Sequence, residues 1–315
     1  MTGYQTKALG VNTNSRAELN DLYGNSVNET IVEITNFYNM IPKKKSVSDR
    51  AGFRVRTAAN SSATNYGELD VIVTGNTTRK KIYFTQKQTK VGVEISGLEI
   101  ESAKGEGGIG DIWAEEIQAS TLDFANNLDT QVLGAALPAT EGGAMSGLKY
   151  LVDDGNTYPT YGSVTDRTAA GEEWAVSNYD DDAEDLSLTL MRDMITANVN
   201  DGANVNNLMF LSKKTQQDKF KNLIQDLQRT VPTSSRVGFS GVPEFDSVPY
   251  KTDENVDAGY LYCLDMARFK MDILKAPTIE QLPEPKDAKA AFIKQYSCFY
   301  NTMPKSSFKK INLTT

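Results

Sequence analysis

Histidine is absent from this chain of 315 residues. Its absence excludes the Ser-His-Asp triad, the usual Cys-His pair and every metal site built on imidazole. Catalysis by carboxylates, Lys, Tyr or a Ser-Lys pair remains open, although the commonest general base is missing. The sequence therefore leaves room for few kinds of enzyme.

Cysteine is scarce, and the two that occur, Cys263 and Cys298, lie in separate Tyr-rich runs. They do not form a CxxC pair, so neither a metal site nor a disulfide framework is indicated. A free cysteine usually behaves as a small buried hydrophobe. We expect two buried thiols, in line with a reducing compartment.

The sequence also lacks long apolar runs and an excess of basic residues. No window approaches the roughly 18 apolar residues of a membrane span, and the N-terminus lacks the apolar region of a secretory signal. The formal net charge is −8, which argues against general binding of nucleic acid by charge neutralisation. The length favours two domains, or one domain with long extensions.

Extended structure is predicted for residues 46–100, after a helical pattern over residues 27–40. Residues 74–77, Thr-Gly-Asn-Thr, are typical of a turn within this region. Alternating apolar residues mark three strands: Leu69, Val71 and Val73; Ile82 and Phe84; Val91, Val93 and Ile95. A long two-stranded hairpin is only marginally stable alone, so it needs another surface to lie on.

A glycine cluster at residues 105–110 precedes a strong helical pattern over Asp111–Leu133. The cluster lacks the Lys-Ser/Thr of a phosphate-binding loop and the GxGxxG spacing, so we interpret it as a hinge. The helix has one apolar face, formed by Trp113, Ile117, Phe124, Leu128 and Val132.

An acidic run at residues 180–185 precedes a helical pattern that begins near Leu186. Carboxylates suit calcium or magnesium, but the spacing does not fit an EF-hand loop. We therefore interpret the run as the first turn of the helix, where negative charge is favourable. No metal site and no cofactor are predicted.

The region from residue 208 to residue 271 carries the most specific pattern. A buried-strand run, Leu208–Leu211, leads into a helix that opens at Ser212 and is stopped by Pro232. Short strands follow, separated by Gly241-Val242-Pro243 and Val248-Pro249, and the strand Leu261–Leu264 ends at Asp265. The tail after Ala290 again reads as extended structure.

In this order of elements the chain resembles the major capsid proteins of tailed double-stranded DNA viruses, which have the Hong Kong 97 fold. The resemblance implies an α+β chain with an N-terminal arm, an extended loop hairpin, a spine helix, a peripheral domain and an axial domain. The arm would be residues 1–45, the hairpin 46–104, the spine helix and peripheral domain 105–140, the axial domain 141–280, and the return to the peripheral domain 281–315.

The same resemblance implies a structural protein of the virion, not an enzyme. Its copies would form hexamers and pentamers of an icosahedral shell that encloses double-stranded DNA without reading its sequence or contacting a membrane. Scaffolding, portal and decoration proteins are possible partners, and assembly would take place in the host cytoplasm. The expected contacts between subunits are the basic residues of the hairpin: Arg54, Arg56, Arg79, Lys80, Lys81 and Lys87.

Three alternatives remain open. An encapsulin-like nanocompartment shell would have the same fold and would hold an enzyme as cargo. A carboxylate-based hydrolase would use a pair from the acidic run, namely Asp180, Asp182, Glu184 or Asp185. A tail or surface fibre would favour internal repeats and more strand, and no repeat of 20–50 residues is evident.

Overall fold

The computed structural model describes residues 36–103, 112–134, 143–228, 243–283 and 287–314. Its α-helices are α1 (Asn36–Met40), α2 (Gly97–Ala103), α3 (Ile112–Leu133), α4 (Leu148–Leu151), α5 (Leu188–Asn200) and α6 (Lys214–Gln228). Its strands are β1 (Lys43–Lys45), β2 (Arg50–Ala58), β3 (Thr78–Thr85), β4 (Lys87–Ser96), β5 (Asn178–Asp180), β6 (Leu208–Ser212), β7 (Glu244–Phe245), β8 (Val248–Thr252), β9 (Leu261–Asp265), β10 (Phe269–Gln281), β11 (Ala288–Asn301) and β12 (Phe308–Lys310). The mixture of helices and strands agrees with the predicted α+β class.

A four-stranded sheet in the order β1-β10-β11-β4 supports the long helix α3. The two central strands, β10 and β11, form a long antiparallel hairpin, and β4 pairs with β11 over Lys87–Ser96. The apolar face predicted for α3 is buried: Trp113, Ile117, Phe124, Leu128 and Val132 lie in the core. The helix predicted over residues 111–133 is therefore confirmed over Ile112–Leu133.

A six-stranded sheet in the order β5-β12-β9-β6-β8-β7 forms the other half of the molecule. Every residue of β6 and β9 is buried, as expected for central strands covered on both faces. The helices α5 and α6 contribute to the core cluster on this sheet. The strand predicted at residues 208–211 and the helix after it are confirmed, whereas Pro232 lies outside the described residues.

Each sheet combines strands that are far apart in the sequence. The tail first enters the four-stranded sheet as β11 and then the six-stranded sheet as β12, between β5 and β9. The predicted boundaries at residues 45, 104, 140 and 280 stay predictions. Of the expected arm, the structure describes only residues 36–45, and the glycine cluster at residues 105–110 lies outside the described residues.

The acidic run does not form the first turn of a helix, so that interpretation was wrong. Helix α5 begins at Leu188 and has no acidic residue in its first turn. Its N-cap is Ser187, whose hydroxyl oxygen accepts a hydrogen bond from the Leu190 N–H at 3.1 Å. Asp180 lies instead at the end of β5. The cap is therefore a hydroxyl side chain placed directly before the helix, and the carboxylates lie farther upstream.

Both cysteines are buried free thiols, as predicted. Cys263 lies in β9 and Cys298 in β11, in different sheets. Burial raises the pKa of Cys263 to about 12 and raises that of Cys298 further above its ordinary value. Both groups therefore act as packing residues and not as nucleophiles.

Candidate assembly surface

Strands β2 and β3 pair only with each other and form a two-stranded ribbon that leaves the body of the subunit. Its inner face is apolar, and aromatic side chains pack its base against the body of the subunit. The Phe53 ring stacks on Tyr300 at 5.7 Å between centroids and meets Trp174 edge-on at 6.0 Å. Phe84 packs in the same cluster against Tyr161 at 5.3 Å.

This base supplies the surface that the hairpin was expected to need, and the surface belongs to the same subunit. Ile82 and Phe84 are fully or almost fully buried, and they belong to the main core cluster. The third predicted strand, with Val93 and Ile95, is β4, which lies in the four-stranded sheet and not in the ribbon. Only the distal part of the hairpin lacks a partner within the described subunit.

We call that distal part, residues 59–77, the ribbon tip. The strand predicted from Leu69, Val71 and Val73 is not formed, because no backbone within the described subunit offers those residues a ladder. Their side chains are 97%, 87% and 68% exposed, and Tyr66 and Ile72 are each 71% exposed. A group of exposed apolar side chains on one loop is typical of a protein–protein contact.

The tip has a defined path even without a strand. Asn60 closes its neck: the Asn60 Nδ2 donates to the Gly75 carbonyl at 2.9 Å, and its Oδ1 accepts from the Ser62 N–H at 3.0 Å. Farther out, the Asp70 carboxylate accepts from the Gly67 N–H at 2.6 Å. The apolar side chains are therefore displayed on a loop whose neck is tied.

The outer face of the ribbon is strongly basic. The strand register places Arg54 opposite Lys81 and Arg56 opposite Arg79, and all of them are exposed on the same face. Like charges directly opposite each other on a sheet are destabilising. The ion pairs found among the described residues include none for these cations, although the Lys81 ammonium lies 5.1 Å from the centre of the Tyr83 ring. The ribbon thus presents a surface that an acidic partner would stabilise.

The remaining two predicted contact residues have different surroundings. Lys80 points to the inner face and forms an ion pair with Glu172 of its own subunit. Lys87 is only 7% exposed at the start of β4, so it offers little surface to a neighbour. The structure thus groups Arg54, Arg56, Arg79 and Lys81 on one outer face and separates Lys80 and Lys87 from them.

The acidic run has its own counter-charge. The Asp180, Asp181 and Asp182 carboxylates can approach within 4.8 Å of one another, but the Lys310 ammonium lies 2.8 Å from Asp180 and 2.7 Å from Glu184. Burial alone would raise the pKa of Asp180, yet the Lys310 ammonium and the Asp182 N–H together outweigh it and lower that pKa below its ordinary value. A hydrolase needs a carboxyl group with a raised pKa as its acid, which Asp180 does not supply.

One carboxyl group of that kind was missed by the sequence reasoning. Asp129 on α3 is 1% exposed and has a pKa raised to about 7, mainly by burial. It faces Asp253, which lies just after β8. The two residues are far apart in the sequence, and no motif joins them. Only the packing of the helix against the loop after β8 brings them together.

The comparisons with known proteins agree on one kind of molecule. The model of the SU10 major capsid protein family matches residues 9–314. A search of the curated proteins found no significant match. None of the described helices is long and apolar enough to cross a membrane.

Solved structures share the fold at low sequence identity. The capsid asymmetric unit of cyanophage A-1(L) has a TM-score of 0.68 at 12% identity, covering 88% of this chain and 91% of that one. A chain from Mycobacterium phage Bobi gives 0.59 at 9%, covering 99% and 95%. The virus-like particle from Pyrococcus furiosus gives 0.53 at 9%, covering 91% and 96%. The fold is the Hong Kong 97 type expected from the sequence.

Proposed function

This chain belongs to the SU10 major capsid protein family, since the model of that family matches nearly the whole sequence. We propose that its copies assemble as hexamers and pentamers into an icosahedral shell around double-stranded DNA. It is a structural capsid protein of the virion and not an enzyme. The family match favours a virus shell over the nanocompartment alternative.

The exposed surfaces of the ribbon are the observation that supports this proposal. Its apolar tip and its basic outer face are both exposed in the single subunit, and its inner face is anchored to the core. A second copy of a chain with net charge −8 supplies acidic surface in excess. We therefore assign the outer face (Arg54, Arg56, Arg79 and Lys81) and the tip to contacts with a neighbouring subunit.

The remaining partners are proposed from the charge of the chain and from its family. The acidic balance suits a container wall that encloses DNA without binding it tightly. Scaffolding, portal and decoration proteins would act during or after assembly, which we place in the host cytoplasm. Lys80 and Lys87, with their partners inside the subunit, would support the ribbon and not contact a neighbour.

Electron microscopy and sedimentation of the purified chain test the proposal. We expect closed particles or capsomer rings from the wild type and unassembled subunits from the double variant Arg54→Glu/Arg56→Glu. Lys270→Glu, a matched charge reversal at an exposed site on β10, should assemble normally. Normal shells from the double variant would refute the role of the outer face. If the wild type stays monomeric even when co-expressed with its scaffold, the shell proposal itself fails.

A further inference from the structure

Helix α1 is held to the subunit by two acidic side chains from distant parts of the chain. The Asp253 carboxylate, which follows β8, accepts from the Phe37 N–H at 3.1 Å. The Asp129 carboxylate, on α3, accepts from the Tyr38 N–H at 3.4 Å. Neighbouring amides in the first turn of α1 are thus bound by different carboxyl groups.

The two carboxyl groups also contact each other. Asp129 is 1% exposed and Asp253 is 4% exposed, and the negative charge of Asp253 lies close enough to raise the pKa of Asp129. Asn255 bridges them: its Nδ2 donates to Asp129 at 2.8 Å and its backbone N–H donates to Asp253 at 3.0 Å. A like charge beside it, together with burial, favours the protonated form of Asp129.

We propose that Asp129 and Asp253 form a clasp that fixes α1 to the body of the subunit and that closes when Asp129 carries a proton. Protonation of Asp129 closes the clasp, because its protonated oxygen donates to the Asp253 carboxylate while the remaining oxygens accept from the N–H groups of α1. Losing the proton leaves two buried negative charges facing each other, which loosens α1.

Several charged and polar groups lie on the elements packed around the clasp. From α1, Tyr38 contributes its N–H, while its hydroxyl pairs with the neutral Gln295 of β11. The nearby charges on the packed elements are those of Lys43, above the Tyr38 ring, Lys87 at the start of β4, the exposed Glu254, and the Lys149–Asp257 ion pair. None of these is among the causes that shift the pKa of Asp129.

The direction of the pH effect follows from the causes that shift the pKa of Asp129. Burial, and then the negative charge of Asp253, raise the pKa of Asp129 to about 7, against the lowering effect of the Asn255 and Tyr38 donors. A carboxyl group with a raised pKa in the closed state binds a proton on closing. The stability of the closed state is therefore present below the ordinary pKa of an aspartate and is lost as the pH rises to about 7.

Hydrogen exchange of the full chain tests the clasp. The readout is the protection of the Phe37 and Tyr38 amides at pH 6 and pH 8, by mass spectrometry of a peptide from this segment, corrected for the intrinsic rate. With a pKa of about 7, protection should fall about tenfold over that range. The loss stays limited because Phe37 also packs edge-on against Phe299 at 6.3 Å.

Three variants separate the clasp from a general effect of pH. Asp129→Asn keeps an acceptor but cannot titrate, so its protection should not change between pH 6 and pH 8. Asp253→Asn removes the opposing charge and should move the midpoint below that of the wild type. Asp123→Asn, on the exposed side of the same helix, should behave like the wild type. Wild-type protection that does not change with pH would overturn the proposal, and so would an Asp129→Asn variant that loses protection as the wild type does.

Discussion

At the scale of single residues, several buried charges of the subunit have specific partners. Lys309 is 5% exposed in its side chain and lies 2.7 Å from the fully buried Asp153. Asp153 also accepts from the N–H groups of Gly155 and Tyr158. Arg167, also fully buried, donates to three backbone carbonyls and faces the rings of Tyr150 and Tyr161. Such pairs fix a loop-rich region that has little regular secondary structure.

The variant Lys309→Met tests this pairing. It leaves the Asp153 carboxylate buried without its ion-pair partner, so the free energy of unfolding should fall by about 3–5 kcal/mol. Urea unfolding followed by circular dichroism measures the change. Lys305→Met is the control: its pair with Asp201 is partly exposed, with 44% and 19% of the two side chains accessible, and its loss should cost only about 1 kcal/mol. Equal losses in the two variants would contradict the role assigned to burial.

At the scale of elements, the ribbon divides into a base that belongs to the subunit and a tip that does not. Sequence periodicity predicted the strands around Ile82 and Phe84 and around Val93 and Ile95 correctly, because those strands have partners in the same chain. The same alternation at Leu69, Val71 and Val73 failed, because alternation shows that one face is apolar but not what covers it. The partner of the tip is not in the described subunit.

Replacing residues 61–74 by a two-residue Asn-Gly turn tests that division. The neck is already closed by Asn60 and Gly75, so the shortened ribbon should keep its register and its base. We expect a thermal midpoint close to that of the wild type and a loss of particles in the electron microscope. A large drop in the midpoint would show instead that the tip stabilises its own subunit.

The candidate site was less accessible to prediction than the fold. The basic residues of the hairpin were visible in the sequence, but which of them share a face depends on the register of β2 and β3. Lys87 was grouped with the others because it is near them in sequence, whereas β4 carries it into the other sheet. The pairing of Asp129 with Asp253 depends on tertiary packing alone and left no local signal.

At the scale of the whole molecule, two electrostatic effects oppose each other during assembly. The net charge of −8 makes the subunits repel, and salt weakens that repulsion. The basic outer face of the ribbon attracts acidic surface on a neighbour, and salt weakens this attraction as well. The response of the wild type to salt is therefore the sum of two opposite trends.

Comparing the wild type with Arg54→Glu/Arg56→Glu isolates the contribution of the ribbon. At low salt, the protein concentration needed for assembly should be higher for the variant than for the wild type. This difference in concentration should become smaller as the Debye length falls from about 10 Å at 0.1 M to about 3 Å at 1 M. Light scattering over a series of NaCl concentrations measures it. A difference that is independent of salt would mean that the arginines act through shape and not through charge.

The position of β12 sets when the six-stranded sheet can close during translation. This strand, Phe308–Lys310, lies between β5 and β9, so β5 stays apart from the rest of the sheet until residues 308–310 have been translated. Two residues of the strand, Lys309 and Lys310, also bring the counter-charges for Asp153 and Asp180. A chain truncated before β12 lacks both the strand and its charges, so we expect such chains to be excluded from particles.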